Sequence, residues 1–205
     1  MEWVVADLHF GDVGLLKYPE RCHFKSIEEH DEYIIRQLNM FLKPGDTLYV
    51  LGDVGFRGSG EEGLLELARK IRRIECAKKV LIYGNHDKFS VSDARKKLGF
   101  DEVHKGLYYY ENAGAPDLSG KILFSHEPAR EALDNPYVIN VHGHVHNYAL
   151  KLKGFYNVNI GQTNFVPTNM RKFINLARKV KSRHEYFGHE WYYQYYDLPE
   201  GGEKK

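Results

Sequence analysis

The chain has 205 residues, 42% apolar and 28% charged, the make-up of a folded globular protein rather than a disordered one, and long enough to bury roughly 70% of the surface its unfolded chain exposes. Lysine and arginine number 29 against 28 acidic residues, and this formal charge of +1 argues against binding nucleic acid by overall charge, though not against a local basic patch. No apolar run approaches the roughly 20 residues that cross a bilayer, the first seven residues lack the order of a secretion signal, and Cys22 and Cys76 make neither a disulfide framework nor a zinc knuckle, so a cytoplasmic setting without membrane attachment is expected.

Val4–Ala6 reads as a buried strand that stops at Asp7. Residues 8–25 are mixed and read as loop. Ser26 followed by Glu29 is a capping box, and a helix follows with Ile27, Tyr33/Ile34, Leu38 and Phe41/Leu42 near one face, ended by Pro44–Gly45. Thr47–Leu51 is a second strand, stopping at Gly52–Asp53. Glycines 55, 58 and 60 mark a flexible loop, and Leu64–Ile74 has helical spacing. Val80–Tyr83 is a third strand, stopping at Gly84–Asn85–His86–Asp87. Strands alternating with helices, each strand ending in a polar cluster, predict an α/β fold whose site lies outside the carboxyl ends of parallel strands.

Beyond residue 100 the pattern becomes richer in strands. Ile122–Phe124 leads to Ser125–His126, Tyr137–Val141 leads to His142–Gly143–His144–Val145–His146, and Phe155–Ile160 is a further strand. Thr168 is a candidate cap for a helix reaching about Val180. Residues 1–184 form one domain on this reading, and 185–205 an aromatic, then acidic, extension whose last residues are expected to be mobile.

Eleven histidines are the unusual feature of the composition. Asp7 and His9 are two residues apart, which on an extended strand end points both side chains the same way. Asp53 follows a strand and a glycine. Asn85, His86 and Asp87 follow another, His126 a third, and His144 and His146 alternate after a fourth. Each pair alone is an ordinary surface or turn motif, and the set together is the signal.

In order and spacing these motifs resemble the calcineurin-like metallophosphoesterase superfamily, whose pattern runs D-x-H, G-D, G-N-H-D/E, H, G-H-x-H. The likeness is closest to its small bacterial and phage phosphoesterases, and extends to Leu51–Gly52–Asp53–Val54 and Asn157–Val158–Asn159–Ile160–Gly161. The resemblance implies a four-layer αββα sandwich, two mixed β-sheets with flanking helices, and two divalent metal ions at the strand ends. It implies that Asp7, His9, Asp53 and His146 hold one ion and that Asp53, Asn85, His126 and His144 hold the other, with Asp53 shared. Carboxylate, amide and imidazole donors suit Mn²⁺ first, then Fe, Zn²⁺ or Ni²⁺, and the lack of cysteine ligands argues against a closed structural zinc site. Cations about 3.5–4 Å apart need a carboxylate and a hydroxide between them, the hydroxide then serving as nucleophile at neutral pH.

The family's histidine matching His86 faces the substrate as general acid or stabilises charge at the leaving oxygen. Arg57 matches the arginine of a G-D-x-x-D-R-G variant found in protein phosphatases of the superfamily and could clamp two phosphate oxygens; a solvated loop arginine is the alternative. Phe56 replaces the acid that orients the histidine in that variant, which leaves Asp87 or Asp12 as candidate supports for His86. His142 reads as a support for a ligand or as a structural histidine, and Cys22–His23 as loop.

Between Asn135 and His184 there is no acidic residue but there are eight basic ones, including Arg171, Lys172, Arg178 and Lys179, which form either a field that attracts phosphate or a solvated helix face. The implied activity is hydrolysis of a phosphate ester, with a phosphodiester of a nucleotide or nucleic-acid end preferred over a monoester. A non-catalytic metal-binding scaffold and a protein phosphatase are the alternatives.

Overall fold

In the computed structural model, which describes residues 1–55, 60–111, 115–135, 137–146 and 154–180, the apolar run after Met1 forms strand β1 (Glu2–Val5). β2 (Thr47–Leu51), β3 (Lys78–Ile82) and β4 (Glu102–His104) follow, then β5 (Tyr108–Tyr109), β6 (Ile122–Phe124), β7 (Ile139–His142), β8 (Phe155–Asn157) and β9 (Thr168–Asn169). The helices are α1 (Ile27–Phe41), α2 (Gly60–Arg72), α3 (Val91–Asp93) running on into a π turn over Ala94–Leu98, α4 (Arg130–Asp134) and α5 (Arg171–Lys179). One sheet has the order β4-β3-β2-β1-β9, parallel except for β9; the other has the order β5-β6-β7-β8, parallel except for β5.

The period of two along each strand sorts the side chains into layers. Val5, Leu48, Val50 and Leu81 face Ile34 and Leu38 of α1 and Leu67 and Ile71 of α2. Their neighbours Val4, Tyr49, Leu51, Val80 and Ile82 face the other way, onto Ile122, Phe124, Ile139 and Val141 of the second sheet. Leu123 and Phe155, on that sheet's outer side, pack with Ala132 and Leu133 of α4. Helices, sheet, sheet and helix are the four layers expected, and the doubly buried strands explain why the sequence shows short continuous apolar runs.

Ser26 caps α1 as expected, its Oγ accepting from the Glu29 backbone N–H at 3.2 Å, while Glu29 accepts from the backbone N–H of Lys25 at 2.7 Å, one residue before the cap. Thr168 does not cap a helix. It lies in β9, opposite Val4, and α5 begins at Arg171, whose N–H donates to Asn169 Oδ1 at 3.0 Å. The free edge of β1 has backbone groups to satisfy, and pairing with β9 outweighs the local capping preference. Residues 8–25 contain a short 3-10 helix, Val13–Lys17, capped by Asp12, and β4 and β5 are too short to have stood out in the sequence.

Met170 donates to the Glu2 carbonyl at 3.0 Å, so α5 starts beside the beginning of β1, away from Asp7 at its other end. Arg171, Lys172, Arg178 and Lys179 lie on its exposed face, the solvated-helix reading. Arg57 and Phe56, the remaining basic residues of that stretch and the 185–205 extension lie outside the described residues. Among the described residues no helix is long and apolar enough to cross a membrane, and both cysteines are free.

Candidate metal centre

Parallel strands bring their carboxyl ends to one edge, and the polar clusters collect there. The sheets are stitched at that edge: Ala6 donates to Val158 O and accepts from Ile160 N, each at 3.0 Å, Val158 donates to His142 O at 2.7 Å, and Gly143 donates to His126 O at 2.9 Å. Asp7 and Asp53 leave neighbouring strands of the first sheet, and His126 and His144 come from the second.

The residues singled out in the sequence form two groups, Asp7–His9–His146 and Asp53–His126–His144, and within each group the donor atoms lie within 4.8 Å of one another. Asp53 Oδ2 stands between the groups, 3.5 Å from His9 Nε2 and 3.3 Å from His126 Nε2. Asn85 Oδ1 lies 2.8 Å from His126 Nε2 and 3.1 Å from His144 Nδ1, so the amide joins the second group. His126 is held by its other ring nitrogen, which donates to Leu51 O at 2.8 Å and leaves Nε2 facing the site. Among the described residues, His9 Nε2 and His146 Nδ1 are buried without a hydrogen-bond partner. Buried imidazole nitrogens without partners, converging with carboxylates, fit divalent cations and are costly otherwise.

Asp7 and His9 do not share a side through strand alternation. Their φ angles are +59° and +49°, and those of Asp53 and His144 are +52° and +67°. Four candidate ligands thus sit in the left-handed region, at about 1–2 kcal/mol each. Backbone bonds hold these turns: Asp7 N–H to Gly52 O at 3.1 Å, His9 N–H to Asp53 O at 2.9 Å, and His144 N–H to the Asp7 carboxylate at 3.0 Å. Asp87 does not support His86. Its carboxylate accepts from the backbone N–H groups of Asp53 (3.0 Å), Val54 (2.9 Å) and Gly84 (2.8 Å), tying two strand ends together, and Asp12 Oδ2 lies 3.7 Å from His9 Nδ1. His86 is exposed at the rim, its ring 5.6 Å from that of His9 and its N–H donating to Asp53 Oδ1 at 2.9 Å. His142 is buried, its Nδ1 2.9 Å from Gly143 O, and burial brings it down to about 4. His23 packs on Phe24, the loop reading.

The Metallophos family model, described as calcineurin-like phosphoesterase, matches residues 3–197. The chain belongs to the calcineurin-like phosphoesterase family. An uncharacterised protein of Methanocaldococcus jannaschii is 25% identical over 191 residues, covering 87% of this chain and 92% of the relative. The crystal structure of a protein of unknown function from Aquifex aeolicus is similar with a TM-score of 0.65 and 26% identity, covering 86% of this chain and 98% of that one. Metal-dependent phosphoester hydrolysis is the chemistry of this family, and the two donor groups of this phosphoesterase are where its divalent ions fit.

The sequence reading missed Tyr18, Glu20, Arg21, His30 and Asp31. Tyr18 stacks on His146 at 5.6 Å between ring centres, and both carboxylate oxygens of Glu20 are buried nearby, one of them 4.0 Å from His146 Nδ1. The loop 18–21 carries no periodic signal. His30 and Asp31 do carry one, because they occupy helical positions between Ile27 and Ile34, where a buried stripe calls for apolar residues.

Electrostatics favour a proton at each donor group of the ion-free protein. Burial pushes Asp7 up to about 7. Burial opposes ionisation of Asp53 and of His126, but their mutual bond outweighs it, holding Asp53 at about 2 and raising His126 to about 9. Below about 9 the ion-free protein therefore carries a proton on His126 that a metal must displace. Mn²⁺ affinity of the ion-free protein is expected to fall by up to about tenfold per pH unit between pH 8 and 6, with proton release on binding. Calorimetric titration in buffers of different ionisation enthalpy measures both; pH-independent binding without proton release would refute this.

Proposed function

We propose that this chain is a dinuclear, metal-dependent phosphodiesterase acting on a nucleotide or nucleic-acid end, with Mn²⁺ as the preferred ion. One ion is assigned to Asp7, His9, Asp53 and His146, the other to Asp53, Asn85, His126 and His144. The observation that carries this reading is Asp53 Oδ2, within 3.5 Å of an imidazole nitrogen from each side. When bound, divalent ions supply Lewis-acid polarisation of the phosphoryl oxygens and an acidified water.

The chain's own residues do the rest. Buried Asp53, and Asp7 once it loses its proton, present anionic oxygens in a site largely closed to solvent, where their charge is little screened. Leu51 O fixes the His126 ring so that Nε2 presents its lone pair once its proton leaves. His86, at the exposed rim, gives a proton to the leaving oxygen. Arg57 is assigned to clamp two phosphate oxygens. Support for a diester comes from a cavity of about 420 Å³ beside Asn85 and His126, lined in part by Tyr83, Leu107 and Pro128, which has room for a second ester substituent. The two free cysteines fit a reducing, cytoplasmic compartment.

With added Mn²⁺, bis-p-nitrophenyl phosphate is expected to turn over faster than p-nitrophenyl phosphate, and chelation should abolish both. No turnover of either by the ion-loaded protein would remove the catalytic reading, and a faster monoester would remove the diester preference. Replacing His86 by alanine should lower kcat by about 10²-fold or more on a diester with an alkyl leaving group, and far less on a p-nitrophenyl ester, whose leaving group needs no proton. Equal losses on the two substrates would take the proton-donor role away from His86.

A further inference from the structure

The turn that carries Asp7 and His9 is gripped by a buried polar chain that the metal chemistry does not use. Arg21 is fully buried. Its Nη2 donates to Asp7 O at 2.8 Å and its Nη1 to Leu8 O at 3.4 Å. Nη1 also lies 2.6 Å from His30 Nε2, and His30 Nδ1 lies 2.8 Å from Asp31 Oδ1. A guanidinium can only donate, so His30 Nε2 is the acceptor, and Nδ1 carries the hydrogen and donates to Asp31. Burial lowers the pKa of His30, in keeping with this neutral tautomer. Asp31 Oδ2 accepts from Lys70 Nζ at 2.8 Å and from the backbone N–H of Gly11 at 2.9 Å. The turn is thus held at its start through the carbonyls of Asp7 and Leu8, and at its end through Gly11.

Burying a guanidinium against two carbonyls and a neutral ring, with no direct carboxylate among the described residues, is costly. Phe165, 5.9 Å from the guanidinium carbon, gives it only a cation–π contact. What this arrangement opposes is the unfavourable left-handed backbone at Asp7 and His9, which would otherwise relax and turn both donors out of register.

We propose that Arg21, His30 and Asp31 are positioning residues that lock the Asp7–Leu8–His9 turn in its ion-holding form, and so set the affinity of the Asp7–His9–His146 group. This rests on the reading of that group as one of two ion sites. None of the three belongs to either donor group; Lys70 and Asp31 anchor the chain of contacts between α1 and α2, His30 relays it, and Arg21 delivers it to the turn.

The test is Mn²⁺ titration of the ion-free, full-length protein, followed by the electron paramagnetic resonance of unbound Mn²⁺, with unfolding measured alongside. His30→Leu removes the acceptor for Arg21, and His30→Gln keeps one. The unaltered protein is expected to take up two equivalents. In His30→Leu one equivalent should weaken by about 10–100-fold while the other is unchanged, and His30→Gln should recover most of the loss. A purely structural role would lower the midpoint of unfolding and leave both equivalents as they were, which would overturn the proposal, as would equal weakening of both. Should His30→Leu not fold, Arg21→Lys, which keeps the charge but loses the fork, decides by the same criterion. An unaltered protein that takes up no Mn²⁺ would refute the metal reading itself and this proposal with it, a failure distinct from unchanged binding in the variants.

Discussion

Replacing Asp53 by alanine is expected to lower phosphodiester hydrolysis by about 10³-fold or more and to reduce Mn²⁺ uptake below two equivalents. One Asp53 oxygen faces His9 and His126 at 3.5 and 3.3 Å, and the other accepts the His86 N–H at 2.9 Å. On the dinuclear reading proposed above, loss of this carboxylate would remove the charge that allows two cations to be neighbours, an effect of several kcal/mol, and about 4 kcal/mol corresponds to about 10³-fold in rate. Asp53→Asn is the sharper control, because it keeps an oxygen for His86 and removes only the charge. Both variants should retain the circular dichroism of the unaltered protein, since the fold is carried by apolar layers that Asp53 does not enter. Native turnover and two-equivalent Mn²⁺ uptake in either variant would rule out a shared ligand at this position.

Gly52→Ala is expected to destabilise the protein by about 3 kcal/mol and to lower its midpoint of unfolding by about 6–12 °C. Gly52 has φ +79°, and an added Cβ would stand 2.5 Å from the Gly84 nitrogen and 2.6 Å from His126 Nδ1. The first contact is with backbone that cannot rotate away, and the second would break the His126 bond to Leu51 O. The left-handed backbone adds about 1–2 kcal/mol of its own. Gly45→Ala is the contrasting substitution, because a Cβ there meets nothing within 4 Å; thermal melts should place it within about 0.5 kcal/mol of the unaltered protein. A Gly52→Ala protein that melts like Gly45→Ala would mean that β2 and β3 separate easily at this edge.

Much of the site was legible because its donors follow strand-like runs. Asp7, Asp53, Asn85, His126, His144 and His146 each come after an apolar segment, and the structure places those segments in parallel strands with their ends together. Asp7 and His9 do come together, but not through the strand alternation expected of them: both residues are in left-handed turns. Asp87 was legible as a polar residue near the centre but not as the brace between the β2 and β3 ends, because three backbone donors from two strands meet only after folding. Thr168 misled because its capping chemistry is local, whereas the demand of the β1 edge comes from 164 positions earlier in the chain.

The buried strands, the capped first helix and the residues expected to offer donors to metal ions could all be read from residue types at short, fixed spacings. Folding was needed to show Asp53 between the two donor groups, Asp87 bracing the strand ends, and Arg21, His30 and Asp31 reaching the Asp7 turn. These depend on side chains from separate elements meeting across a closed interior, where a polar group without a partner is costly and the contacts available are set by how the layers pack rather than by which residues are neighbours in the chain.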